Sequence, residues 1–347
     1  MIPSANLSPR SVLDFVEDEV PMEVASCPTS SSRRREKRKL SLSFLDAADG
    51  NEDRPCRAMN LRHRLVCGRT VAWLAAEERK LEQLWLGPVF ESSQTVIAAI
   101  ETLPASVTHL DLDLRNALHL ISEVMPLLFQ KSHLTSLSVR LFGDSGAVEL
   151  SKWIYLNPNL KRLDLRGNRI GSDGIRAIAK AISKCNLPLE DLNLSCNCIV
   201  DTDPIRELLT TTTSLRSLDL SFNWIGNPEV ENLCVGLREN SSVHRLNFFG
   251  CQRIDHAGVG SLLRCVQESN ASLHHIQVQI FGGEEANRLH SELLHLLALN
   301  RAGRSLLRSE VAAQSPLWPF VLAKSSVEPT TLYHILQQGG PHLFDLQ

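Results

Sequence analysis

Apolar residues recur along the middle of the chain on one short template. Leu81-Glu-Gln-Leu-Trp-Leu86 carries them at its first, fourth and sixth positions, and the same arrangement returns at Val107, Leu134, Leu160, Leu189, Leu215, Val243 and Leu273. The successive steps are 26, 27, 26, 29, 26, 28 and 30 residues. The alternation at the end of each template is the period of a strand with one buried face. Each template then passes through a turn into a segment with helical spacing. Ile175, Ile178, Ala179 and Ile182 form one apolar helix face, and Ile205–Leu209, Val230–Leu237 and Val259–Val266 have room for the same. A single strand–turn–helix unit cannot bury its own apolar side, so the pattern predicts a stack of about eight such units.

The flanks differ in composition. Residues 1–60 are rich in Ser, Pro and charge and too poor in apolar side chains to offset the entropy of ordering, so they read as a disordered tail. Val71, Leu74, Ala75 and Ala76 predict a helix within 61–80 that caps the open N-terminal end. The repeats then occupy 81–287. A leucine-rich helix from Glu284 to Leu299 leads into a helical C-terminal cap over 288–347, with Trp318-Pro-Phe-Val-Leu322 and Thr331-Leu-Tyr-His-Ile-Leu336 as short apolar pieces.

Three central units, Leu160–Ile170, Leu189–Ile199 and Leu215–Ile225, resemble the leucine-rich-repeat family, within it the ribonuclease-inhibitor-like class with a period of about 28 residues. The resemblance covers roughly residues 70 to 290. It implies an α/β solenoid, a horseshoe arc with parallel strands on the concave face and helices on the convex face. It also implies that Asn168, Asn197 and Asn223 bond the backbone of their turns. The outer units depart from the pattern: Ala117 stands near the Asn place in the second, Phe142-Gly143 in the third, and Cys251 or Gln252 in the seventh.

In that architecture the third, fifth and seventh template residues face outward, because strand side chains alternate. The outward set contains Trp85, Asp111, Arg140, Arg162, Asp164, Arg166, Asp191, Asp219, Arg245 and Phe249 as the candidate contacts of a protein partner. With Asp113 it has five aspartates against four arginines, so no basic stripe exists for counterion release on nucleic acid. Mixed polarity with Arg, Trp and Phe anchors suits protein recognition. Arg162, Asp164, Arg166 and Arg169 are the residues of the best-formed unit that packing leaves unexplained.

Catalytic chemistry has little foothold. The chain has no Gly-rich phosphate loop with its lysine, no His-Glu-x-x-His and no Gly-x-Ser-x-Gly. Asp111 and Asp113 could pair as carboxylates on one strand face, without the apolar pocket needed to split their pKa values. Cys56, His63 and Cys67 lack zinc spacing and a fourth ligand, so neither metal nor cofactor is implied. The nine cysteines, an odd number without a framework, read mostly as small buried hydrophobes, and Cys196 and Cys198 as structural thiols. Four Asn-x-Ser matches, at Asn6, Asn193, Asn240 and Asn270, have no consequence outside the secretory route.

No apolar run reaches the roughly eighteen residues of a membrane span, and the N-terminus lacks a signal pattern. The chain therefore reads as cytoplasmic or nuclear. Arg33, Arg34, Arg35, Lys37, Arg38 and Lys39 form a basic cluster that fits an import signal or a solvated tail. Ser41, behind it, fits a phosphosite whose charge would oppose the cluster. The acidic and apolar Ser11–Val20 fits a transient amphipathic helix in the tail, with a docking motif for a partner groove as the alternative. The expected function is non-catalytic protein binding as a scaffold or adaptor. The alternatives are a substrate-recognition subunit of a ubiquitin ligase, for which residues 57–80 lack the Leu-Pro opening of an F-box, and a GTPase-activating protein of the Ran-activator type, with Arg169 as the candidate arginine.

Overall fold

A computed structural model describes residues 57–75, 81–140, 143–279 and 283–303. The basic cluster Arg33–Lys39, Ser41, the Ser11–Val20 segment and the pieces around Trp318 and Tyr333 lie outside the described residues. Strand and helix alternate in order: β1 (Ala58–Leu61), α1 (Gly68–Leu74), β2 (Gln83–Leu86), α2 (Ser93–Glu101), β3 (His109–Asp113), α3 (Ile121–Phe129), β4 (Ser136–Arg140) and α4 (Gly143–Ile154). They continue as β5 (Arg162–Asp164), α5 (Ser172–Cys185), β6 (Asp191–Asn193), α6 (Asp203–Thr211), β7 (Ser217–Asp219), α7 (Asn227–Glu239), β8 (Arg245–Phe248), α8 (His256–Glu268), β9 (His275–Val278) and α9 (Glu284–Ala302).

The strands form one parallel sheet in sequence order, β1 to β9. Pairing is in template register, with Leu84, Leu110, Leu137, Leu163, Leu192, Leu218, Leu246 and Ile276 in a single row. All eight are buried, as are the helix residues facing them, such as Ile175, Ile178, Leu208, Leu233 and Leu262. Trp153 on α4 is the largest of the fully buried side chains, and its indole N–H donates to the Leu128 carbonyl at 2.7 Å. Adjacent strands lie about 4.8 Å apart, whereas packed helices need about 8–10 Å, so the stack bends with its strand layer inside. This is an α/β solenoid of the leucine-rich-repeat type.

The array begins one strand earlier than the leucine template shows. β1 spans the boundary drawn between tail and cap at residue 60, pairing Met59 with Leu84 and Leu61 with Leu86. Met59 and Leu61 fill the second and third apolar places of the template, and methionine packs there without the leucine that made the other units visible. The predicted cap helix is accordingly α1, the helical arm of this first unit.

Two asparagine ladders tie neighbouring units together. At the strand-to-helix turn, Asn168, Asn197 and Asn223 donate through Nδ2 to Val139, Leu165 and Leu194 of the preceding units at 2.8, 3.0 and 2.9 Å. In the next unit Cys251, not Gln252, takes the place, its thiol donating to the Leu220 carbonyl at 3.4 Å. The second ladder lies where helix returns to strand. Asn240 and Asn270 donate to Leu209 and Leu237 at 2.8 and 2.6 Å, and their Oδ1 atoms accept from Ser242 and Ser272 at 2.9 and 3.0 Å. Asn300 donates to Leu273 at 2.7 Å.

Helix packing gives a prediction with an unusual sign. Asp144 Oδ1 accepts from Gly171 and Gly174 at 2.7 and 3.0 Å, capping α5 from the preceding unit. A Cβ on Gly174 would lie 2.5 Å from that same oxygen and 2.8 Å from Ile170 Cγ2. Glycine to alanine in a helix ordinarily stabilises, but here crowding dominates, so Gly174→Ala should cost about 1–3 kcal/mol. Gly260 on α8 meets only Leu289 Cδ1, at 3.9 Å, so Gly260→Ala should gain about 0.5–1 kcal/mol. Urea unfolding of the two variants should move in opposite directions.

Candidate protein-interaction surface on the inner sheet face

Trp85, Asp111, Ser138, Asp164, Asn193, Asp219, Asn247 and Gln277 form one straight row across the outward face of the sheet. Beside it runs Gln83, His109, Ser136, Arg162, Asp191, Ser217, Arg245 and His275. Four of the Asp and Asn residues of the first row share a local task. Oδ1 of Asp164, Asn193, Asp219 and Asn247 accepts the backbone N–H two residues on, at 2.9, 3.0, 2.9 and 2.9 Å. This is an Asx turn that ends each strand, and it uses one carboxylate oxygen where the residue is aspartate.

The row floors an open hollow of about 390 Å³ that brings together Trp85, Asp111, Arg162, Asp164, Asp191 and Asp219, six of the ten candidate contacts. Arg140, Arg166, Arg245 and Phe249 lie outside it, at its edges. Arg62 is a wall that the sequence reading missed, because its own unit was missed. Its guanidinium pairs with Asp111 and stands 5.9 Å from the centre of the Trp85 ring, within reach of a cation–π contact. Asp111 and Asp113 are both buried rather than open, each covered by its own arginine, with Arg115 pairing to Asp113 at 2.9 Å. They are therefore two separate ion pairs and not a carboxylate pair.

Asp191 is paired too, with Arg162 at 3.0 Å. Asp219 accepts from the Asn247 amide at 3.0 Å and from the Ser221 hydroxyl at 2.6 Å. Asp164, half-buried on β5 beside them, has no ion-pair partner among the described residues. Burial pushes its carboxyl above the ordinary range, against the pull of the Arg166 N–H and of the Arg140 charge. The hollow thus pairs Asp111 and Asp191 with arginines and leaves Asp164 and Asp219 as carboxylates without an ion pair.

Of the cysteines in the described residues, Cys234, Cys251 and Cys265 are buried, Cys67, Cys185 and Cys196 are half-covered, and Cys198 is exposed. The expectation of mostly buried thiols therefore fails at the turns, where Cys196 and Cys198 flank the ladder residue Asn197. Cys196 has φ +55°. Among the described residues no group of three potential metal ligands comes together, and no helix is long and apolar enough to cross a membrane.

A parallel sheet in strict sequence order, an asparagine turn ladder and a helix behind every strand define a repeat solenoid built to present its strand face. The chain is a leucine-rich-repeat protein, and its repeats are of the ribonuclease-inhibitor-like kind. The family model described as Leucine Rich repeat matches residues 156–179 and 212–234. NACHT, LRR and PYD domains-containing protein 5 of Homo sapiens is 26% identical over 248 residues, which are 66% of this chain and 20% of that protein. Ribonuclease inhibitor of Sus scrofa is 27% identical over 123 residues, 34% of this chain and 26% of the inhibitor. The chain thus spans about a quarter or less of the length of these relatives. Among solved structures, the leucine-rich repeat-containing protein LegL7 from Legionella pneumophila aligns with TM-score 0.38 and 18% identity, over 65% of this chain and 85% of that one.

Proposed function

We propose that the protein is a non-catalytic recognition module, a scaffold or adaptor, that takes a protein partner on the inner face of its sheet. Asp164 carries the reading. It is a half-buried carboxylate without an ion-pair partner among the described residues, at the centre of an open hollow walled by Trp85 and two arginines. Such a charge is costly in the free protein and is compensated when a partner brings a cationic group over it. Residues 57–75, which lack the F-box opening, are β1 and α1 of the array. A cytoplasmic or nuclear setting and an import role for Arg33–Lys39 remain part of the proposal.

The row itself supplies the test. Asn193 and Asn247 make the same turn bond as Asp164 and Asp219, so aspartate to asparagine removes charge and keeps the backbone cap. Affinity purification from the native cell should recover partners with wild type that Asp164→Asn/Asp219→Asn loses or recovers at least about tenfold more weakly. Unchanged recovery of every partner would place recognition elsewhere. Stimulated GTP hydrolysis across a panel of small GTPases, abolished by Arg169→Ala, would replace this reading with the GTPase-activating one.

A further inference from the structure

A second surface lies outside the hollow, along the edge where the strands end. Backbone bonds continue the sheet into the turns, from Gly167 to Ser195, from Cys196 to Ser221 and from Phe222 to Phe249 at 3.0, 2.9 and 2.8 Å. The turns therefore sit side by side. On them Phe222, Phe249 and Trp224 are 51%, 38% and 37% exposed. Phe222 meets Phe249 edge to face, with ring centres 5.6 Å apart, and its ring covers the Gly250 backbone. Three large rings on one edge are what soluble surfaces ordinarily avoid and interfaces concentrate.

Phe222 also has φ +54°, in the left-handed region. The same turn position is held by Gly167 and Gly250, at φ +71° and +75°, and by Cys196 in the unit directly before, at φ +55°. A phenylalanine there combines backbone strain with solvent exposure, and the fold requires neither, since glycine serves two of the four turns. Strain of this kind collects at functional sites.

The charges carried by the turns themselves are of one sign. The four turns 165–170, 194–199, 220–225 and 248–254 contain Arg166, Arg169 and Arg253 and no Asp or Glu. All three arginines are exposed, and none has an ion-pair partner among the described residues. From the β5 turn to the β8 turn is three strand spacings, about 14 Å, the length of four or five residues of extended chain.

We propose that this edge binds a short acidic segment of a partner protein, with a large apolar side chain seated on Phe222, Trp224 and Phe249 and carboxylates on either side of it. Arg166 and Arg169 receive one flank and Arg253 the other. A peptide fits better than an anionic membrane surface. The Phe222 ring packs over the Gly250 backbone, and three cations contribute only about 3 kcal/mol of surface attraction. The proposal rests on side chains other than the hollow aspartates, although Asp164 Oδ1 accepts from the Arg166 N–H.

The test pans the full chain against a random library of twelve-residue peptides and measures the best binder by fluorescence polarisation. Enriched sequences should place Asp or Glu on both sides of Phe, Leu or Trp. Affinity should fall about tenfold or more with Phe222→Gly and with Arg166→Ala/Arg169→Ala/Arg253→Ala, and should be unaffected by Asp164→Asn/Asp219→Asn. Phe222→Gly should keep wild-type cooperativity of unfolding, because relief of the left-handed phenylalanine offsets the lost ring contact. Lack of enrichment, enrichment of basic peptides, or loss with the hollow variant alone would overturn the proposal. So would rim-dependent binding to phosphatidylserine vesicles without peptide binding. Failure at the rim leaves the reading of the hollow standing, since that reading is scored on native partners with the aspartate variants.

Discussion

Asn197→Ala is expected to lower the free energy of unfolding by about 3–5 kcal/mol, far more than an ordinary surface substitution. The side chain is buried and serves both units that it joins. Its Oδ1 accepts from the N–H groups of Asn168 and Ile170 at 3.0 and 2.9 Å. Its Nδ2 donates to Leu165, Leu194 and Ser195 at 3.0, 2.9 and 3.2 Å. Truncation strands two buried N–H groups and removes a shared donor from three carbonyls, and each stranded buried group costs about 1–3 kcal/mol. Asn197→Asp should also destabilise, because a carboxylate keeps the two acceptor bonds but faces carbonyl oxygens with charge.

Asn197→Cys should fall between, since Cys251 holds the same place in the β8 unit with a single thiol bond. Urea unfolding at constant m-value is the measurement, because a changed m would mean that the array had begun to unfold in parts. A loss below about 1 kcal/mol for Asn197→Ala would remove the turn ladder from the energetics of the stack.

The same bonds show what the amino-acid sequence discloses and what it hides. Strand positions and register were legible because leucine recurs on a template and a one-residue slip would expose every leucine. β1 escaped because Met59 satisfies the packing of the second apolar place without the leucine spelling. The outward rows followed from alternation alone. How their charges are spent did not, since Arg62 reaches Asp111 across 49 residues of sequence.

Asn240 and Asn270 carried the pattern Asn-x-Ser and were set aside as glycosylation matches. The structure shows that spacing to be a capping device, the asparagine oxygen holding the serine N–H two residues on. The rim was legible only in pieces, because Phe222 and Phe249 lie in different units and meet only when the turns stack. The turn template could have pointed to it, since Phe222 occupies a position that two of the other three turns give to glycine.

Asp164→Asn should make the protein more stable and a poorer binder at once. Burial raises the carboxyl of Asp164 above its ordinary value of 3.8, so the folded state holds its proton more tightly than the unfolded chain does. Between those two values the native state binds more protons, and stability therefore falls as pH rises through that window. Above the folded value the penalty is fully present, and below 3.8 it is absent. Asparagine keeps the 2.9 Å bond from the Arg166 N–H and does not titrate. The variant should accordingly exceed wild type in stability at pH 7, with the gap closing as the pH falls into the carboxylate range.

Binding should move the other way. If a partner's cation settles over Asp164, removing that charge costs about 2 kcal/mol or more, roughly a 30-fold weaker complex. Urea unfolding at several pH values and titration of a recovered partner test the two halves separately. A variant less stable than wild type at pH 7 would mean that the carboxylate is compensated within the fold. A variant that is more stable but binds equally well would mean that the charge at the centre of the hollow serves no partner. The opposed signs are the signature of a residue held at the expense of stability for the sake of recognition.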